Sequence, residues 1–150
     1  MNLSSAFDDF LLAKQADGCR PKTLLWYRSL LAPFVAARAD RPLASISVRE
    51  CREYIVGLRS QTEKYVGAPQ RPTLAGGFSD ETVRGHVTAL HSFWNFCARE
   101  YEIVSPMRNI RRPPAPQRRQ PRAIAPADFV RLFNATRDDD AGIRDRALLV

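Results

Sequence analysis

The sequence predicts an all-α fold, with four helices ahead of a basic, proline-rich connector and two short helices after it. Two observations predict it. Apolar residues recur at three- and four-residue steps in each candidate stretch, the spacing of one helix face. The alternation of a half-buried strand is absent throughout, and no internal repeat is visible. The longest stretch, 79–101, organises the rest: Val83, Val87, Leu90, Trp94, Cys97 and Tyr101 form its stripe, and Phe93 and Phe96 widen it. A helix apolar over so much of its circumference should be buried along much of its length.

Taken in order, the first helix carries Phe7, Phe10 and Leu11 and runs to about Asp17. Ser5 and Asp8 have capping-box spacing at its start, and Gly18 is a natural stop. Pro21 opens the second helix, in which Leu24, Tyr27, Leu31 and Phe34 mark the core face. Pro33 should kink that helix or end its regular hydrogen bonding. Lys22, Trp26 and Ser29 fall on the opposite face, so Trp26 is either covered by another helix or exposed for a partner. Ser47 and Glu50 form a second capping box, stapled by Ile46 and Cys51, and the third helix buries Val48, Cys51, Ile55 and Leu58 before ending near Arg59.

Residues 61–78 are polar and punctuated by Gly and Pro, the composition of a long mobile loop. That gap excludes a helix-turn-helix reader, whose paired helices are separated by roughly three or four residues. Ser79 caps the fourth helix, with Asp80 and Glu81 in its first turn. Its other side, Arg84, Thr88, His91 and Asn95, reads as a solvated face, and a short turn follows at 105–110. Beyond the connector, Pro126 and Asp128 start a short helix bearing Phe129, Leu132 and Phe133. An acidic break at 138–140 precedes Ile143, Ala147, Leu148, Leu149 and Val150, an apolar run expected to be the beginning of something larger.

A chain of 150 residues is one domain, or one domain with a fragment of another. No apolar run of about 18 residues and no signal-like amino terminus occur, so no membrane segment and a cytoplasmic setting are expected. Cys19, Cys51 and Cys97 are odd in number and widely spaced, which suits reduced thiols rather than a metal centre, and no cofactor is implied. His86 and His91, five residues apart, diverge on a helix and cannot share a metal; a DNA or solvent contact is expected for each. Asp8 with Asp9 and Asp138 with Asp140 sit at helix starts or turns, where capping explains them better than acid–base work.

The net charge of +7 is concentrated in one place. Residues 103–127 hold six Arg and no acid, whereas 1–102 hold thirteen basic and eleven acidic residues and 128–150 four and five. The same segment holds six of the eleven prolines, and Pro113, Pro114, Pro116 and Pro121 rule out a regular helix there. No amphipathic basic helix accompanies this strap, so it suits a phosphate backbone better than a membrane. Polyanion binding is preferred over a solvated linker whose charge only aids solubility.

These residues carry a resemblance. Thr23-x3-Tyr27-x3-Leu31-x2-Phe34 on the second helix resembles the core-binding domain of tyrosine recombinases, the phage-integrase family. So do Thr82-Val83-x3-Val87-x2-Leu90-x2-Phe93 on the fourth and the following Ile103-Val104-Ser105-Pro106. Residues 122–150, with Arg144-Asp145-Arg146-Ala147-Leu148-Leu149, are similar to the opening of that family's catalytic domain. The resemblance implies a four-helix core-binding domain over 1–110, a basic linker over 111–122 and an incomplete catalytic-domain start over 123–150. It implies double-stranded DNA as partner, together with recombinase protomers on that DNA, and no small-molecule substrate.

On the family's pattern the second and fourth helices lie toward the major groove, which assigns Lys22, Thr23 and Trp26, and Thr82, Arg84 and His86, to the DNA side. Gly85 and Ala89 would also face the duplex, so phosphate rather than base-edge contacts are expected. Arg111, Arg112, Arg118, Arg119 and Arg122 of the strap complete the expected interface. The family's chemistry uses a tyrosine nucleophile that forms a 3′-phosphotyrosyl bond, assisted by arginines, a lysine and histidines without metal. None of that constellation can be placed: Arg144 and Arg146 lie too early, and no cluster activates Tyr27, Tyr54, Tyr65 or Tyr101. The chain is therefore expected to be a truncated recombinase without catalytic residues, inert alone. The alternative is a stand-alone, non-catalytic helical regulator of a recombinase, dimeric through Phe129, Leu132 and the end at 148–150.

Overall fold

Helix α1 (Leu3–Ala16) begins ahead of the expected cap in the computed structural model, which describes residues 1–64, 72–114, 124–136 and 139–149. The N-cap is Asn2, whose Oδ1 accepts the Ser5 N–H at 2.8 Å, so Ser5 lies inside the helix and its box with Asp8 is not used. Asn and Ser cap equally well. Starting at Asn2 buries Leu3 and Ala6 completely, and that decides between them. At the other end Gly18 takes φ +76°, and two bonds, Gly18 N–H to Gln15 O and Cys19 N–H to Lys14 O, close a Schellman motif.

Helix α2 (Pro21–Ala36) starts on Pro21 and runs through Pro33 to Ala36. Pro33 removes the bond to the Ser29 carbonyl, a defect that costs about 3 kcal/mol in a helix interior. Leu31, Phe34 and Val35 are buried around it, each contributing roughly 1.5–3 kcal/mol, so packing carries the helix past the proline. A single 3₁₀ turn (Leu43–Ser45) leads to α3 (Val48–Ser60), where Ser47 and Glu50 cap each other reciprocally and Ile46 and Cys51 are buried beside them. The Ser47 backbone N–H and the Arg41 guanidinium both donate to Glu50 and hold its carboxyl down at about 2.

The segment 61–78 is not wholly loop. Strand β1 (Glu63–Lys64) pairs antiparallel with β2 (Leu74–Ala75), with Glu63 opposite Ala75 and Lys64 opposite Leu74. Two-residue strands are too short to show alternation, which is why the pair is invisible in the sequence. Gly77 sits so tightly beneath it that a Cβ there would stand 2.2 Å from the Gln61 carbonyl oxygen. Tyr65 and the rest of 65–71 lie outside the described residues.

Helix α4 (Asp80–Glu100) is capped by Ser79, whose Oγ accepts the Thr82 N–H, and it runs through the middle of the core. Val83, Val87, Ala89, Leu90, Phe93, Trp94, Phe96 and Cys97 are buried along it. Phe10 of α1 packs edge-on against Phe93, Phe96 and the α2 residue Tyr27, with ring centroids 5.6, 5.6 and 5.1 Å away. Helices α1 and α2 pack against each other and on α4, α3 packs on α4, and Met107 from the turn beyond α4 is fully buried. Burial pushes the Cys51 and Cys97 thiols up to about 12, while Cys19 is half-buried.

The chain divides into two compact units, Met1–Pro116 and Gln117–Val150. The second contains α5 (Pro126–Asn134) and α6 (Asp140–Leu149). Within it Phe129 and Phe133 stack at 6.4 Å, and Arg146 donates from Nε to Thr136 Oγ1 at 2.6 Å. Every described residue of α5 keeps some exposure, as expected where so few residues must form a core. Asp138, Val150 and the side chains of Leu148 and Leu149 lie outside the described residues. The protein is thus mostly helical, and no helix among the described residues is long and apolar enough to cross a membrane.

Candidate nucleic-acid interface

The first two turns of α2 present Lys22 exposed, Thr23 half-buried and Trp26 39% exposed. Both alternatives for Trp26 hold in part. One edge lies over α4, where a Cβ on Gly85 would stand 3.9 Å from Trp26 Cζ2 and 3.5 Å from Leu30 Cδ1; the rest is open. Gly85 is therefore where α2 rests on α4, and Ala89 is completely buried. Ala89 does not face outward as the resemblance implied, and Gly85 is half-buried, because α2 rests on that side of α4.

His86 also requires correction: it is buried, 5% exposed, and does not reach DNA or solvent. Its Nδ1 donates to the Leu30 carbonyl oxygen at 2.9 Å, and its ring stacks on Phe78 with centroids 5.8 Å apart. Burial lowers its pKa, partly offset by the Leu30 bond. A signal existed in the sequence, since His86 lies three residues after Val83 and four before Leu90, on the apolar stripe.

Of the other expected residues on α4, Thr82 is half-buried and its hydroxyl bonds the Ser79 hydroxyl in the cap. Arg84 is half-buried, donates from Nε to the Pro113 carbonyl at 3.3 Å and stands 3.8 Å from Glu81. It fastens the start of the connector to the helix. His91, one face over, is half-buried under the same segment. Among the described residues its Nε2 has no partner; burial and then the neighbouring Arg112 lower its pKa, against a hydrogen bond to the Ile110 backbone. Arg111 and Arg112 are exposed, and Arg118, Arg119 and Arg122 lie outside the described residues.

These placements leave a cleft of about 610 Å³ on the polar side of α4. Lys14 of α1, Tyr27 of α2, Ser92, Asn95 and Arg99 of α4, and Arg112 of the connector line it. Among the described residues no carboxylate contributes to its walls. Lys14 pairs with Asp17 at 3.1 Å, while among the described residues no carboxylate stands within ion-pair distance of Arg99 or Arg112. The Tyr27 and Ser92 hydroxyls share a hydrogen bond of 3.2 Å. Sequence reasoning missed Lys14 and Arg99, which are 85 positions apart and meet only because α1 packs on α4.

Tyr54 and Tyr101 are held in the protonated form by their surroundings. Burial pushes Tyr54 up to about 12, and Tyr101, which donates to Asp9 Oδ2 at 2.8 Å, is also raised by burial and by that bond. Comparison with family models, curated proteins and solved structures finds no match to this chain.

Proposed function

We propose that this chain binds double-stranded DNA, as the amino-terminal core-binding part of a site-specific tyrosine recombinase or integrase. In this reading α1–α4 form the family's four-helix core-binding bundle, residues 111–122 are its arginine-bearing linker, and recombinase protomers on the same DNA are its protein partners. No catalytic step is assigned to any residue of the chain. The working compartment is the cytoplasm, where its thiols stay reduced. One observation carries the reading. Lys22 and Trp26 on α2 are open, and Lys14, Arg99 and Arg112 line the adjoining side of α4 without an acid among them. Clustered cations beside an exposed aromatic ring suit phosphates, which position a protein on nucleic acid without specifying sequence.

The test is binding of the chain to duplex DNA over a range of salt. With about six phosphates engaged, log affinity against log salt has a slope of about −5. A slope near zero, or no binding at low salt, rejects the reading.

A further inference from the structure

The geometry points to the cleft on α4 as a seat for a single phosphate group of the nucleic-acid backbone, with Arg99 and Arg112 as its charged ligands and Arg84 as the residue that positions Arg112. Assigning the phosphate to DNA rests on the function proposed above; the anion site itself does not.

Three elements distant in sequence each bring one cation to the cleft, Lys14, Arg99 and Arg112. Gathering like charges is unfavourable unless something opposes them; among the described residues Asp17, paired with Lys14, and Glu100 line the neighbouring depression shared with Lys14 and Arg99, and no carboxylate lines the cleft itself. The neutral walls supply donors. Tyr27 and Ser92 hold two hydroxyl protons and use one between them, leaving one to donate inward, next to the Asn95 amide. Charge-assisted bonds from guanidinium groups together with a hydroxyl donor are the chemistry that recognises phosphate. A volume of about 610 Å³ exceeds one phosphate and leaves room for the sugar on either side of it.

The wall that carries Arg112 is held from within the protein. Arg84 Nε bonds the Pro113 carbonyl, one residue past Arg112, and the Ile110 backbone bonds His91 on the other side. Arg84 thus turns its Nε donor to the connector and a terminal nitrogen toward Glu81, so its contribution to phosphate binding runs through Arg112.

Two measurements on the full chain test this. Amide NMR shifts are followed while inorganic phosphate is titrated, and affinity for a 20-base-pair duplex is measured against salt. The variants are Arg99→Gln/Arg112→Gln and, as a control with an exposed arginine on α3, Arg52→Gln. Phosphate is expected to move the Ser92, Asn95 and Arg99 amides in the wild type and in Arg52→Gln but not in the double variant. The double variant is expected to flatten the duplex salt slope by about 1, the loss of one phosphate contact, and to bind at least tenfold more weakly at 0.1 M salt, with Arg52→Gln leaving the slope unchanged. Arg84→Ala should lose the phosphate response at Arg112 while retaining it at Arg99. Phosphate shifts that are absent, spread over the surface or equal in the double variant overturn the cleft, even when wild type binds duplex. Localised phosphate shifts without duplex binding leave the cleft standing and reject the DNA reading instead.

Discussion

The imidazole of His86 donates its Nδ1 proton to the Leu30 carbonyl oxygen 2.9 Å away, joining the second turn of α4 to α2 just before Pro33. A carbonyl can only accept, so this bond sets the tautomer. Burial keeps the ring neutral and its pKa below the ordinary value. The unfolded chain therefore binds the proton more readily, and stability falls as pH drops below about 6.5, being fully present above it. His91 is depressed as well and acts in the same window. His86→Gln, which keeps a donor but does not titrate, should remove part of the loss in urea midpoint between pH 7.5 and 5.5. An unchanged pH dependence in that variant contradicts the assignment. His86→Ala should cost roughly 2–4 kcal/mol at neutral pH through the cavity under Phe78.

The Ser47–Glu50 capping box works at lower pH. Glu50 is held down at about 2, so its contribution is present above the ordinary carboxyl range and lost as pH falls from about 4.5 toward 2. The stability difference between wild type and Glu50→Gln should shrink across that interval. Ser47→Ala should destabilise by about 1 kcal/mol at pH 7, read from denaturant midpoints.

Thiol reactivity follows burial. Cys51 and Cys97 are fully buried with thiols pushed up to about 12, while Cys19 follows the Schellman turn and is half-buried. A thiol reagent at pH 8 should modify one cysteine in the native protein and three after unfolding. Fast modification of two or more in the folded state contradicts this placement.

Gly85 lies in a helix interior with space for a methyl group, since the nearest atoms to an added Cβ are Leu30 Cδ1 at 3.5 Å and Trp26 Cζ2 at 3.9 Å. Gly85→Ala should stabilise the fold by about 0.5–1 kcal/mol, measured as a higher denaturant midpoint. A lower midpoint contradicts the open contact distances between Gly85 and α2.

Trp26 and the connector arginines should separate by salt. Trp26→Ala removes a neutral, partly open ring, so duplex affinity should fall while the salt slope stays unchanged. Replacing Arg111, Arg112, Arg118 and Arg119 by Ala should weaken binding evenly across sequences and flatten the slope. A slope altered by Trp26→Ala alone means that the phosphate contacts themselves have moved.

Much of the fold was legible in the residues because its signals are local. The Ser47 and Ser79 caps, the Gly18 stop, Pro21 at a helix start and the stripe of α4 are set by neighbours within four positions. Where two local signals competed, as Asn2 against Ser5, burial of Leu3 and Ala6 chose between them. The site was far less legible. The place of Lys22 and Trp26 off the core stripe of α2 followed from helix periodicity, and the same periodicity put His86 on the stripe of α4, but how far Trp26 stays open and the covering of Ala89 depend on where α2 crosses α4. Lys14, Arg99 and Arg112 come from three separate elements, and no spacing rule links them. Periodicity and capping are properties of a few consecutive residues, so the helices and their buried faces are already written in the residue order. A cleft depends on which faces remain uncovered once distant helices have packed, and no short stretch of residues carries that information.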